Sequence, residues 1–348
     1  MHMADALLSP AVGGAMWAAS AGTIAYCSAK VRQDLDDRAV PLMGVLGAFL
    51  FAAQMINFSI PATGSSGHLG GGLLLAILLG PPAAFLTISS VLVVQALFFA
   101  DGGLLALGCN IFNMGFIPAF VVYPLIYKKL IGNNPSQTRL TIATMVSAIA
   151  GLQLGPLCVV LETLFSGISS LPFATFVLLM QPIHLAIGVV EGFVTVAVVS
   201  FVFKARPGIL QGALEARPIG GRPVRNVVLT FLLAALITGG IVSWFASKNP
   251  DGLEWAIAKV SGKEELKRPE QGLHGVLAAL QEKTAFLPDY SFKKSAGPNN
   301  TGSKPDGVQK KAEGSNFGTS VAGIIGALMT LALAFLGGFI LKKRNQPA

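Results

Sequence analysis

The sequence predicts an all-α integral membrane protein: a polytopic bundle of about nine transmembrane helices with one extracytoplasmic segment, mostly helical or disordered. Three observations carry that prediction. Hydrophobic residues make up 53% of the 348-residue chain and charged residues only 12%, with a mean hydropathy of +0.65. Soluble domains carry roughly 25% charge. The apolar residues fall in long uninterrupted runs, and Lys and Arg collect in small clusters between them.

Apolar runs at 11–29, 40–60, 82–100, 104–127, 139–164, 173–203, 226–246 and 319–341 each approach or exceed the roughly 20 residues that a helix needs to cross a bilayer. A ninth, 69–80, is short and Gly-rich and ends at Gly80-Pro81-Pro82, so neighbouring helices must cover its backbone. Counting it puts Lys30, Arg32, Arg38, Lys128, Lys129, Arg139, Lys204, Arg206, Arg217, Arg222, Arg225, Lys342, Lys343 and Arg344 on one side. The short loops near 1–10, 60–69, 101–103 and 165–172 hold no Lys or Arg. Short cytoplasmic loops are the positive ones, so the N-terminus is expected outside a prokaryotic inner membrane and the C-terminus in the cytoplasm. The polar segment 247–318 then lies outside, since loops beyond about 60 residues escape that rule. The start, Met1-His2-Met3-Ala4-Asp5, lacks the cationic region of a signal peptide and reads as a mature terminus.

Three blocks follow. Residues 1–205 form a seven-span domain, 206–225 a basic Pro/Gly-rich cytosolic linker, and 226–348 a two-span accessory domain around the segment 247–318. Within that segment 251–285 has helical periodicity, whereas 295–316 is rich in Gly, Ser, Asn, Lys and Pro and reads as disordered. A net charge of +8 scattered between membrane spans argues against a nucleic-acid partner. Cys27, Cys109 and Cys158 lie in apolar runs without metal-finger spacing and read as small core residues.

Four histidines occur: His2, His68, His184 and His274. The predicted topology puts His2 and His68 on the same side. The α-amine of Met1, the main-chain nitrogen of His2 and its imidazole Nδ1 can chelate one cation through a five- and a six-membered ring, and His68 can supply a fourth nitrogen. Four nitrogens in a square plane suit Ni²⁺ or Cu²⁺, and Ca²⁺, Mg²⁺ or tetrahedral Zn²⁺ poorly. An accidental Met-His start and a solvated loop histidine stand as the competing reading, at near parity.

Other polar residues in or beside the spans are candidates because burying them in lipid is unfavourable. Gln54, Asn57 and Ser66 are the candidate support around the metal. Gln95, Asn110 and Asn113 can line a pocket or simply join helices. His184 and Glu191, seven apart on one helix, share a face that could serve a proton relay, with an interhelical bond as the bland alternative. Asp101-Gly102-Gly103 reads as a tight turn. No phosphate-binding G-x-x-x-x-G-K-[ST] loop occurs, so the chain cannot itself use ATP, and no enzyme signature is present.

At these residues the chain resembles the CbiM/NikM family, the substrate-capture components of energy-coupling-factor transporters for nickel and cobalt. The resemblance runs through Met1-His2, Gln54-Met-Ile-Asn-Phe58, Ile60-Pro-Ala-Thr-Gly-Ser-Ser-Gly-His-Leu-Gly70, Gln95-Ala-Leu97, Asp101-Gly-Gly103, Asn110, Asn113-Met114 and Glu191-Gly192. Asn249-Pro-Asp-Gly-Leu-Glu-Trp255 resembles the signature of the accessory component CbiN or NikN, here fused. The resemblance implies a metal held by Met1, His2 and His68, a membrane coupling subunit and two separate ATPase subunits. It implies a transport component and not an enzyme. Met3-Ala4-Asp5 replaces the Ile-Pro-Asp of many cobalt members, and with the fusion this favours Ni²⁺ over Co²⁺ as the cargo. The rival readings are a cobalt-specific member, a self-sufficient secondary carrier, and a membrane metalloenzyme, the last disfavoured because His184 is expected at mid-helix and His68 at the outer rim.

Overall fold

The computed structural model describes residues 2–34, 36, 39–132, 135–215, 217, 224–263, 266–267, 269–292 and 316–343. Met1, residues 216 and 218–223 of the linker, the stretch 293–315 and the C-terminus from Arg344 lie outside the described residues, so the disorder expected over 295–316 does too, except at Asn316, which begins the last helix. Every predicted run is a helix: α1 (Pro10–Asp34), α2 (Ala39–Gln54), α3 (Gly72–Leu79), α4 (Pro81–Phe99), α5 (Leu107–Ile131), α6 (Gln137–Ser166), α7 (Phe173–Ala205), α9 (Arg225–Gly240) and α12 (Asn316–Lys343). Between α7 and α9 lies α8 (Pro207–Glu215), and between α9 and α12 lie α10 (Gly252–Ser261) and α11 (Gly272–Thr284).

The chain is a multi-pass, all-α membrane protein. Among the described residues five helices, α4, α5, α6, α7 and Asn316–Leu341 within α12, are long and apolar enough to cross a bilayer, and α2 and α9 are shorter apolar helices. Large apolar side chains stand exposed on the bundle's rim, among them Phe165, Leu178, Phe193, Leu233 and Phe339. In water such a belt would aggregate, and in lipid it is solvated. By contrast α3 is buried over its whole length, as a helix apolar on every side must be.

One boundary differs from expectation. The run 40–60 ends its helix at Gln54, because residues 55–71 turn back as an antiparallel hairpin, β1 (Phe58–Ile60) with β2 (Ser65–Gly67), pairing Phe58 with Gly67 and Ile60 with Ser65. Part of the linker is helical: α8 buries Ile209 and Leu210 against the bundle, and the carbonyl of Ala213 accepts the Tyr123 hydroxyl. Helix α5 is wound wider through Phe112–Tyr127, which contains Pro118 and Pro124. Each proline withholds a donor and disturbs the regular i→i−4 ladder.

The accessory helices join the bundle through small residues. A Cβ on Gly323 of α12 would lie 2.3 Å from the Gly239 carbonyl of α9, and one on Gly326 would lie 2.0 Å from the Phe51 ring of α2. Close backbone approach of this kind is how helices associate in lipid, where apolar burial supplies no drive. Accessory residues 247–263 and 269–291 fold back over the bundle end that carries the hairpin and residues 2–8.

Candidate metal site

His68 follows β2 and precedes α3. Its position is set by backbone contacts more than by packing: Glu191 of α7 accepts from the Gly70 N–H at 2.6 Å and the Gly71 N–H at 3.1 Å, and Gln54 donates to the Gly70 carbonyl at 2.9 Å. Gln95 in turn donates to Gln54 at 3.0 Å. Gly71 has φ +73°, and a Cβ there would meet Leu50 at 2.0 Å, so only glycine makes this bend. Glu191 thus anchors the loop through hydrogen bonds, the alternative weighed against a relay with His184.

Residues 2–8 lie along the same end. Asn110 accepts from the Met3 N–H at 2.8 Å and donates back to the Met3 carbonyl, Gly103 N–H donates to that carbonyl at 2.9 Å, and Asp5 accepts from Ala106 N–H at 3.0 Å. A Cβ on Gly103 would fall 1.8 Å from Asp5 Oδ1, which explains the second glycine after Asp101. These bonds bring the two predicted imidazoles together. The His2 and His68 rings stack with centroids 5.0 Å apart and planes 12° apart.

His68 Nδ1 donates to the Leu69 carbonyl at 3.1 Å, which fixes a tautomer whose Nε2 carries the lone pair. Burial pushes the His68 imidazole down to about 3, so it is neutral, as a metal ligand must be. His2 Nδ1 lies 3.1 Å from Asp101 Oδ1, and Tyr290 donates its hydroxyl to Asp101 Oδ2. Burial raises the Asp101 carboxyl, but the His2 contact and the Tyr290 bond outweigh it and hold it well below the usual range. Asp101, read from sequence as a turn residue, is therefore the partner of His2.

The accessory segment supplies the other wall. Ser66 N–H donates to the Pro250 carbonyl at 2.8 Å and Ser66 Oγ to the Asn249 carbonyl, so this predicted support residue ties the hairpin to the accessory strand. Ser247 N–H donates to the carbonyl of Asn57, and Trp255 to that of Thr63. Asp251 caps α10 through Oδ1, accepting from Leu253 and Glu254, while its Oδ2 lies 3.9 Å from His68 Nε2. His274 is buried and donates to the Leu8 carbonyl at 2.8 Å.

The place of His184 departs from the sequence expectation. Gly67, His68, Gly70, Met114, Leu152, His184, Ile187, Asp251 and Gly252 line a single cavity, so His184 does not stand apart from His68. The hairpin dips into the bundle, and Gly67 and Gly252 let backbone approach α7: Cβ atoms there would meet Ile187 at 2.4 Å and Ile183 at 3.0 Å. Asp101, Asp251 and Tyr290 were missed as a group. Their signal was the accessory motif itself, whose Asp251 only a contact with another part of the chain could place.

Among the described residues no three His, Cys, Asp or Glu side chains form a ready cation cage. Main-chain nitrogens would have to complete a site here. Residues 2–209 match the family model described as the cobalt uptake substrate-specific transmembrane region, and 225–343 match the PDGLE domain. The chain belongs to the cobalt uptake substrate-specific transmembrane family.

A relative from Archaeoglobus fulgidus is 30% identical over 344 residues, 96% of this chain and 97% of its own. The fused nickel transport protein NikMN of Rhodobacter capsulatus is 29% identical over 84% of this chain and 88% of its own. The cobalt transport protein CbiM of Geobacter sulfurreducens is 28% identical over 78% and 81%. A crystal structure of a transition metal transporter is similar at 31% identity with a TM-score of 0.53, covering 60% of this chain and 94% of that one. These relatives are named as transport proteins and not as enzymes.

Proposed function

We propose that the chain is the substrate-capture subunit of an ATP-driven uptake system, binding Ni²⁺, or alternatively Co²⁺, at the outer face of a prokaryotic inner membrane. The carrying observation is the stacked His2–His68 pair, buried at the end where residues 2–8 are tied down. In this reading the amine of Met1, the amide nitrogen and Nδ1 of His2, and Nε2 of His68 hold the cation in a plane. Loading exchanges the Asp101 hydrogen bond of His2 Nδ1 for a metal bond, and leaves two carboxylates, Asp101 and Asp251, beside the dication. Gln54 steadies the His68 loop from behind, Ser66 does so through the accessory strand, and Asn57 does so through its main chain.

Residues 1–205 would capture the metal, 206–225 would connect, and 226–348 would cover the site. A membrane coupling subunit and two ATPase subunits would supply the energy, because this chain has no phosphate-binding loop. Named fused nickel relatives support Ni²⁺ over Co²⁺, and the one-sided cations support an N-terminus outside and a cytoplasmic C-terminus.

The test is titration calorimetry of Ni²⁺ and Co²⁺ into the purified chain and into one carrying a single residue before Met1. The extension should weaken Ni²⁺ binding by roughly 100-fold or more, since amine and chelate ring are both displaced. Unchanged affinity with a square-planar absorption spectrum would sink the site. Ni²⁺ accumulation in cells without any coupling ATPase, abolished by dissipating the proton gradient, would establish the secondary carrier instead.

A further inference from the structure

His184 has an arrangement that the terminal chelate does not use. It is wholly buried, its Nδ1 donates to the Met180 carbonyl at 2.8 Å, and its Nε2 has no partner among the described residues. An imidazole with one nitrogen bound to a backbone carbonyl and the other bare is the usual preparation for a metal ligand, whereas an orphaned buried acceptor is unfavourable by about 1–3 kcal/mol without a compensating role. The ring edge faces the accessory strand: a Cβ on Gly252 would come within 3.1 Å of His184 Cε1. Asp251, the next residue back, keeps Oδ1 on the α10 cap and turns Oδ2 towards His68 Nε2. His68, His184 and Asp251 line the same cavity. Met114 and Leu152 wall both this cavity and a second one lined by Asn113, Pro118 and Glu191.

We propose that His68 Nε2 serves two cation positions in turn: the terminal chelate beside His2, and a transient position formed with His184 Nε2 and Asp251 Oδ2. This rests on the capture reading of the terminal site. The three donors do not stand as a ready-made cage, so the second position is weak and is assembled as the cation moves. Two imidazoles and a carboxylate with open coordination suit a borderline divalent ion such as Co²⁺ or Ni²⁺ in a non-planar geometry. Because His68 serves both positions, the protein holds one cation at a time and passes it inward, and the accessory segment contributes a ligand to the transfer.

The experiment uses the full chain with one residue added before Met1, titrated with Co²⁺ and followed by visible absorption. The extended protein should still bind one Co²⁺, more weakly than the unextended chain binds it, with the intense bands of non-planar nitrogen and oxygen coordination. His184→Gln in that background should lower this affinity at least tenfold. Asp251→Asn should do the same while keeping the helix cap, because Asn accepts the Leu253 and Glu254 N–H bonds equally well. Unchanged circular dichroism confirms folding for each variant. Absence of Co²⁺ binding to the folded extended protein, or binding that neither substitution alters, overturns the second position. Ni²⁺ affinity unchanged by the extension overturns the terminal chelate instead, and the His184 and Asp251 variants still decide the inner site.

Discussion

The accessory part meets the seven-span part in two ways that differ in kind. Within the bundle, α9 and α12 rest on each other and on α2 through glycines and apolar side chains: Gly239 on Gly323, Gly326 on Phe51, Gly44 on Leu331. At the end that carries His68, the same accessory part docks through directed bonds from Ser66, Asn57, Thr63, Leu8 and Asp101. Shape alone serves where the surroundings are lipid. Directed bonds serve where a loop must hold one imidazole in one place, since a misplaced polar group there loses both water and partner. The first kind of contact should tolerate change without affecting metal binding, and the second should not.

The largest break in that comparison is Glu191→Ala, which strips the acceptor from the part-buried Gly70 N–H and the buried Gly71 N–H of the His68 loop. Each orphaned donor is unfavourable by about 1–3 kcal/mol, and Ni²⁺ affinity should fall by roughly tenfold or more. Glu191→Gln keeps one oxygen for Gly70 or Gly71 and should lose less. Wild-type affinity in a folded Glu191→Ala protein would show that the loop needs no anchor.

Next comes Gly323→Leu. Its side chain must push the Gly239 backbone away, at about 1–3 kcal/mol for overpacking, and should raise protease sensitivity of the accessory part. Ni²⁺ affinity of the remaining site should change by less than about threefold, because additivity holds for distant sites. A loss comparable with that of Glu191→Ala would erase the distinction between the two kinds of contact.

The helices were legible because runs of apolar residues announce themselves by length, and the meeting of His2 and His68 followed from charge placement. The hairpin was not legible: Phe58–Ile60 continues an apolar run, and only the turn at Ala62 and Gly64, both at positive φ, together with the Glu191 anchor, pulls it out of helix. Asp101, Asp251 and Tyr290 were hidden for a different reason. Each takes its role from a partner about a hundred or more residues away, and a single sequence carries no record of such pairs.

A pH series sharpens the comparison further. The unfolded chain protonates His68 near 6.5, while the folded chain does so only near 3. The unfolded state therefore binds more protons between those values, so this residue's contribution to stability is complete above about 6.5 and falls as pH drops towards 3. Metal affinity should instead decline already below about 8, where the proposed terminal amine takes up its proton. The His68→Gln variant should lose the acid-side part of the stability profile. An identical stability profile in wild type and variant would contradict the burial of a neutral His68.

The smallest expected effect lies at the seam. From sequence alone, His274 belongs to the accessory segment and its replacement should be silent, but the structure ties its Nε2 to the Leu8 carbonyl, at the end of the strap that carries His2. His274→Ala removes one buried hydrogen bond, about 1 kcal/mol net, or roughly 2 °C in Tm for a chain of this size. Met3 to Leu8 would keep the Asn110, Gly103 and Ala106 bonds, so Ni²⁺ affinity should fall only about two- to threefold. The sign is what matters. A drop in affinity without unfolding means that the accessory segment helps to position the metal-binding terminus from outside the seven-span part. If His274→Ala shifts Tm and leaves affinity untouched, the segment is a passive cover, and its link to the site rests on Asp251 alone.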